Sequence, residues 1–212
     1  MPPRGGTAHL YCERKSIMSA APKHITEADY VTTVWSGGKT SQLAIAPAGA
    51  VYADRDFLWR LSSATCELEE SDFTPLPDYT RLIATLEGGI VLTHNGGEPL
   101  KLRPFEVHRF DGGDDTHSVG CCVDYNLMLR KGKVDGSVTH CRIEPGAATA
   151  FTIHPGCTAV MVCCYGGEVS HSASGEVLRH REALLFEEEI PGSMVFASAT
   201  GCDLMIAEVY PA

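Results

Sequence analysis

The chain has 212 residues, 44% hydrophobic and 21% charged, a composition that buries a sizeable core and excludes a disordered chain. Seventeen Lys and Arg stand against 27 Asp and Glu, a formal net charge of -10 with no basic cluster, which argues against nucleic acid as a partner. No apolar run approaches the ~18 residues of a membrane-spanning helix, and the longest, Ala159 to Cys164, is strand-sized.

Residues 1–17 are polar and patternless. They carry Arg4, Arg14 and Lys15 with no apolar segment behind them, so they predict an extension outside the fold rather than a secretory signal, and Met18 offers a second start. The expected location is the cytoplasm. Sustained helical periodicity is absent, so at most one or two short helices fit, near Ile25 to Tyr30 or Pro77 to Arg81. Elsewhere, stretches rich in Val, Ile, Leu, Thr and Tyr are broken every ~8–12 residues by Gly, Pro, Asn or Asp, the spacing of an all-β sandwich or barrel. Strands are expected at Leu82 to His94, Val119 to Leu129, Val138 to Ile143, Ala148 to Ile153, Thr158 to Tyr165, Ser193 to Phe196 and Leu204 to Tyr210.

In chain order, Trp35 and Thr40 flank Gly37-Gly38, an aromatic wall beside exposed amides that suits a lid or anion nest. The GGKT run has neither the spacing nor the βα context of a phosphate loop. Between Phe57 and Ser62, alternation puts Phe57, Trp59 and Leu61 on one face and Leu58, Arg60 and Ser62 on the other. Arg60 there can offer a planar fork to a carboxylate inside a barrel, or serve as an exposed strand arginine. Arg81 follows the stiff turn Pro75-Leu76-Pro77, which can aim it at a pocket or simply tie the turn down. From Asp124 onward, Tyr125, Leu127 and Leu129 form a core face, leaving Asp124, Asn126 and Met128 either inside the barrel, in need of partners such as Arg60, Arg81 or a ligand, or facing water.

Residues 86–107 laid over 164–185 match without a gap at seven positions: Gly88/Gly166, Gly89/Gly167, Val91/Val169, Gly97/Gly175, Glu98/Glu176, Leu100/Leu178 and Arg103/Arg181. Each copy ends in an aromatic-acid pair, Phe110-Asp111 and Phe186-Glu187. A duplicated meander of this kind predicts two barrel or jelly-roll lobes, 18–132 and 133–212, with the linker near Lys131 to Ser137.

A mononuclear metal site needs three or four convergent ligands, usually opening with His-x-His. The nine histidines contain no such pair. His94 is followed by Asn95-Gly96-Gly97, His117 stands alone after Asp115, and His171 and His180 rebuild no pattern, so the expectation is no metal and no cofactor. The nine cysteines are odd in number and lack C-x-x-C; the vicinal pairs Cys121-Cys122 and Cys163-Cys164 point to opposite strand faces, which reads as small buried residues in a reducing compartment. Gly-x-Ser-x-Gly is missing, and His140-Cys141 alternate faces, so nucleophilic catalysis has little support.

Five motifs in order, WSGGKT (35–40), DFLWRLSSATCE (56–67), FTPLPDYTRLIATLEG (73–88), FDGG (110–113) and DYNLMLRKG (124–132), resemble the HutD/Ves family, strongly over roughly 28–132 and loosely beyond. The resemblance implies a bicupin fold, no established enzymatic activity, and a small-molecule-binding regulator linked in some bacteria to histidine utilisation. Two departures stand out. The family's Trp-x-Asn is replaced by Trp35 running directly into Ser36-Gly37-Gly38, and its Phe-Pro-Gly by Leu76-Pro77-Asp78.

Residues and resemblance together predict a non-catalytic bicupin that binds a small polar or anionic metabolite, a carboxylate, in the first lobe. The expected lining is Trp35, Thr40, Arg60, Ser62, Arg81, Phe110, Asp124, Asn126 and Met128. The competing expectations are a metal-dependent cupin isomerase or dioxygenase built on His117, and a partner-binding module with a dry barrel. Monomer and homodimer are both left open.

Overall fold

The structure, a computed structural model, describes residues 21–212. The extension expected over 1–17, and the lobe start at Met18, lie outside the described residues. Strands are numbered in chain order. The first, β1 (Lys23–Ile25), is followed by a single 3-10 turn at Glu27–Asp29, where the Asp29 carboxylate accepts hydrogen bonds from the Thr26 amide at 2.8 Å and hydroxyl at 2.9 Å. This turn is all that forms of the helix expected near Ile25 to Tyr30.

The next ten strands make two antiparallel sheets. One has six strands, β2 (Val31–Trp35), β3 (Gly38–Ala46), β4 (Trp59–Cys66), β6 (Tyr79–Gly88), β9 (Val107–Asp111) and β11 (Cys122–Arg130), in the order β2-β3-β4-β11-β6-β9. The other has four, β5 (Glu70–Asp72), β7 (Ile90–His94), β8 (Leu100–Leu102) and β10 (Thr116–Val119), in the order β5-β10-β7-β8. The remaining strands repeat the plan. β12 (Val134–Ile143), β14 (Ala159–Tyr165), β17 (Ala183–Phe186) and β19 (Cys202–Pro211) join β1 in a five-stranded sheet, β1-β17-β14-β19-β12. β13 (Ala147–Thr152), β15 (Glu168–His171), β16 (Val177–Arg179) and β18 (Ser193–Ser198) form a four-stranded sheet, β13-β18-β15-β16.

The series β4-β11-β6-β9 and β12-β19-β14-β17 occupy equivalent places, as do β5-β10-β7-β8 and β13-β18-β15-β16. The self-match in the sequence is therefore a match of strand pairings. Its Gly88/Gly166 pair has a backbone reason: both residues sit at positive φ, 71° and 73°, where a side chain is strained.

Gly88 also divides the stretch expected as one strand from Leu82 to His94, since the chain leaves the six-stranded sheet as β6 and enters the four-stranded one as β7. Pro77 to Arg81 is a turn running into β6, not a helix; the Tyr79 amide bonds the Leu76 carbonyl at 3.0 Å, and the strand already begins at Tyr79. The linker expected over Lys131 to Ser137 shrinks to a turn, because β12 starts at Val134. β1 pairs with β17, so the chain's first described strand joins the sheet of the second half.

The two large sheets pack back to back. Trp59, Leu61, Leu82, Ala84, Tyr125, Leu127 and Leu129 from one side meet Ala159, Met161, Cys163, Leu185, Met205 and Val209 from the other in a single apolar cluster. Inside the second lobe, Ile143, Ile153, Val162, Leu178, Phe186, Phe196 and Leu204 fill the space between sheets. The first lobe differs: its interior holds two small apolar clusters, one around Ile83, Ile90 and Phe110 and one around Phe57, Tyr79 and Met128. Polar side chains line the space that remains.

Candidate functional site

Strand alternation decides which side chains face that space. In β11, Tyr125, Leu127 and Leu129 lie in the apolar layer between the large sheets, so Asp124, Asn126 and Met128 turn the other way, into the lobe. Register then assembles the floor. Met128 is paired with Arg60 on one side and Arg81 on the other, and Asn126 with Ser62 and Ile83, which sets two guanidinium groups and an amide in adjoining rows.

These rows line a cavity of about 360 Å³. Trp35, Thr40, Arg60, Ser62, Arg81, Asp124, Asn126 and Met128 all face it. Phe110 does not; it lies behind Arg81, its ring 5.2 Å from the guanidinium carbon, while Phe73 covers the same group at 4.7 Å. The Gly37-Gly38 segment is a tight hairpin, with Trp35 paired to Gly38 and Gly38 laddered onto Cys66, rather than an open nest. Its contribution is the indole, which crosses Gly37 so closely that a Cβ there would fall 2.1 Å from the ring.

The two arginines are held differently. Arg60 is buried, donates from Nε to Gln42 Oε1 at 2.8 Å and from Nη1 to Ser62 Oγ at 2.9 Å, and stacks on Tyr52 with 4.3 Å between its guanidinium carbon and the ring centroid. Arg81 is buried between aromatic rings, and its Nε has no hydrogen-bond partner. Neither arginine takes part in an ion pair among the described residues. Burial pulls Arg81 down to about 10, with Asp124 and Tyr52 opposing, and lowers Arg60 as well.

Asp124 is the acid facing them. Its Oδ1 accepts the Ala64 amide at 2.7 Å, yet burial outweighs that bond and both arginines, and the carboxyl is raised to about 6. Asn126 Oδ1 is buried and unpartnered. The cavity thus presents donors without acceptors, an acceptor without a donor, and one carboxyl that gains its proton near neutrality.

Tyr52, Gln42 and Phe73 hold the arginines and were not anticipated from sequence. Gln42 shares its strand face with Thr40, so period-2 reading on β3 reaches it. Tyr52 sits in a 3-10 turn, Tyr52–Asp54, and the stacking that brings it to Arg60 leaves no mark in the chain.

The histidines weighed as ligands are dispersed. His117 bonds Asp72 at 2.8 Å on the outside of β10, and His94 bonds Thr116 at 2.9 Å and His108 at 3.0 Å. Among the described residues, no group of three or more His, Cys, Asp or Glu is arranged to hold a metal ion. No helix among the described residues is long and apolar enough to cross a membrane.

Two lobes that share the order of four strands in each of their two facing antiparallel sheets define a bicupin. The HutD family model matches residues 27–205, and the chain belongs to that family. No curated protein matches its sequence. Among solved structures it is similar to a conserved protein of unknown function from Pseudomonas aeruginosa PAO1 (22% identity, TM-score 0.74, 90% of this chain and 100% of that one). It is also similar to HutD from Pseudomonas fluorescens SBW25, solved in a formate condition (25% identity, TM-score 0.71, covering 91% and 100%). The bacterial pirin YhhW of Escherichia coli, in complex with nickel(II), shares the fold at 9% identity (TM-score 0.67, covering 90% and 99%).

Proposed function

We propose that this HutD-family chain is a non-catalytic bicupin that binds a small carboxylate in its first lobe and acts as a regulator in the cytoplasm, in a role like that of histidine-utilisation control. The observation that carries this reading is Arg81, a buried guanidinium in no ion pair, facing the single carboxyl of Asp124, with an unbonded Nε beside an open cavity. A buried cation without a counter-charge is costly, and a planar carboxylate meets its fork with two charge-assisted hydrogen bonds. Arg60 stands beside it on the same row, so two positive groups face one half of the cavity.

Asp124 and Asn126 define the other half. A ligand whose carboxylate meets the arginines and whose N–H or O–H group reaches Asn126 Oδ1 and Asp124 satisfies every group left open. Such bifunctional acids, including the carboxylated intermediates of histidine breakdown, are favoured over simple anions.

A thermal-shift panel of small carboxylic acids tests the reading. A specific ligand at 100 times its Kd stabilises the fold by ~2.7 kcal/mol, and Arg81→Met removes that response. A panel that leaves the wild-type chain unshifted refutes it.

A further inference from the structure

The cavity carries a second chemistry at its rim. Cys66 ends β4 and Cys122 opens β11, and the ladder sets them directly opposite each other. Residues so opposed in an antiparallel pair have Cα atoms ~4.5–5.5 Å apart, inside the ~4.4–6.8 Å range a disulfide spans. Alternation gives both the same face: Cys66 continues Arg60, Ser62 and Ala64, and Cys122 precedes Asp124, Asn126 and Met128. Both are free, half-buried and line the cavity.

Their flanking partners in the row are Gly38 and Gly88, so no side chain from a neighbouring strand stands in that row beside either sulfur. The contacts Cys66 Sγ makes now, 3.8 Å to both the Leu68 carbonyl and the Ser71 hydroxyl, are weak and easily exchanged. Cys164 and Cys202 form the contrast: buried in the second lobe, they are closed to a dissolved oxidant.

We propose that Cys66 and Cys122 form a reversible cross-strand disulfide that reshapes the mouth of the first-lobe cavity. The oxidant is a small-molecule disulfide such as oxidised glutathione. The Cys66 thiolate attacks one of its sulfurs and releases one thiol, leaving a mixed disulfide. Cys122, on losing its proton, displaces the second thiol, so one external disulfide becomes two thiols and the chain loses two hydrogens. Burial pushes the Cys122 thiol up to about 12, with Asp124, Cys66 and Cys121 adding to the effect, so Cys122 gives up its proton only as it attacks. Trp35 lies in the same row, paired to Gly38, and its indole is the nearest reporter of the change.

The formation of the bond does not depend on what the cavity binds; only its effect on binding rests on the function proposed above. The native full chain is incubated with oxidised glutathione, denatured, alkylated with iodoacetamide and weighed intact. The expected result is two fewer alkylations than the nine cysteines of the reduced chain give. Cys66→Ser and Cys122→Ser each abolish this paired loss without added mass, Cys122→Ser stopping at a glutathione adduct on Cys66 that the intact mass shows, and Cys121→Ser leaves the paired loss in place. Trp emission changes on oxidation, returns with dithiothreitol, and is insensitive in Trp35→Phe.

Full alkylation of Cys66 and Cys122 in the wild-type chain overturns the proposal, and so does a bond that disappears in Cys121→Ser alone. An emission unchanged while the bond forms overturns the reshaped mouth. The panel of small carboxylic acids run on both forms separates the two readings: if no acid shifts either form, the carboxylate reading fails while the disulfide, seen by mass, stands.

Discussion

Asp124→Asn isolates the electrostatic cost of the cavity. The folded chain raises this carboxyl from its ordinary 3.8 to about 6, chiefly by burial. A group that binds its proton more tightly when folded contributes most below its unfolded pKa, and the contribution is lost as pH climbs through the folded value. The wild-type chain therefore loses stability relative to the Asn variant between about pH 4 and pH 6, and the difference is constant above that. At about 1.4 kcal/mol per pH unit the full gap is about 3 kcal/mol, and water admitted to the cavity reduces it toward about 1 kcal/mol. Asn keeps an oxygen for the Ala64 amide, which Asp124 accepts at 2.7 Å, so no backbone donor is orphaned. Urea unfolding at about pH 4 and about pH 7.5 reads the difference. The reasoning is refuted if the Asn variant is the less stable protein at the higher pH, because Asp124 would then be serving Arg60 and Arg81 more than burial opposes it.

Arg81→Met replaces an unpaired buried cation with an apolar chain between Phe73 and Phe110. The variant is expected to melt at or above the wild-type temperature while losing carboxylate-induced stabilisation, and scanning calorimetry with and without ligand measures both. Leu127→Ala opens a hole in the layer joining the two large sheets, where Leu127 is fully buried; a loss of about 2–5 kcal/mol in urea is expected, with both lobes unfolding in one transition. His24→Ala removes the contacts of β1 to Glu176 at 3.0 Å and Glu182 at 3.3 Å on the second half. Half-buried pairs still open to solvent are worth about 1 kcal/mol, so tryptic cleavage after Lys23 is expected to quicken by up to about fivefold.

The parts of this molecule legible in its sequence are those governed by period and by backbone geometry. Tyr125, Leu127 and Leu129 alternate with Asp124, Asn126 and Met128, and one face must be dry, so the apolar layer follows from alternation, while only the fold decides that the other face floors a cavity rather than meeting water. Gly88 and Gly166 announce the duplication because their left-handed conformation tolerates little else. Phe110 lies one step further from the cavity than alternation suggests: it shares the face of Arg81 across the β6–β9 ladder, but the longer guanidinium lies between it and the cavity. Helix expectation at Pro77 to Arg81 failed for a related reason, since a turn and a strand start produce the same short polar run.

What stayed hidden depends on contacts made across sequence distance. Tyr52 under Arg60 and Phe73 over Arg81 are ring-to-cation contacts with no spacing rule, and Cys66 opposite Cys122 exists only once β4 and β11 are in register. The vicinal pair Cys121-Cys122 is the conspicuous feature of the chain, yet alternation splits it, sending Cys121 outward to the Glu67 carbonyl at 3.5 Å and Cys122 to the cavity. The reactive partnership is thus across the sheet rather than along the strand. The β11–β4 ladder sets the two thiols on one row and Arg60 on another, and the β11–β6 ladder adds Arg81 to that second row, so a single strand, β11, positions both chemistries of the cavity. A one-residue slip of β11 would turn Asp124, Asn126 and Cys122 into the apolar layer together, which is why the buried Tyr125, Leu127 and Leu129 that fix its register matter to the site they never touch.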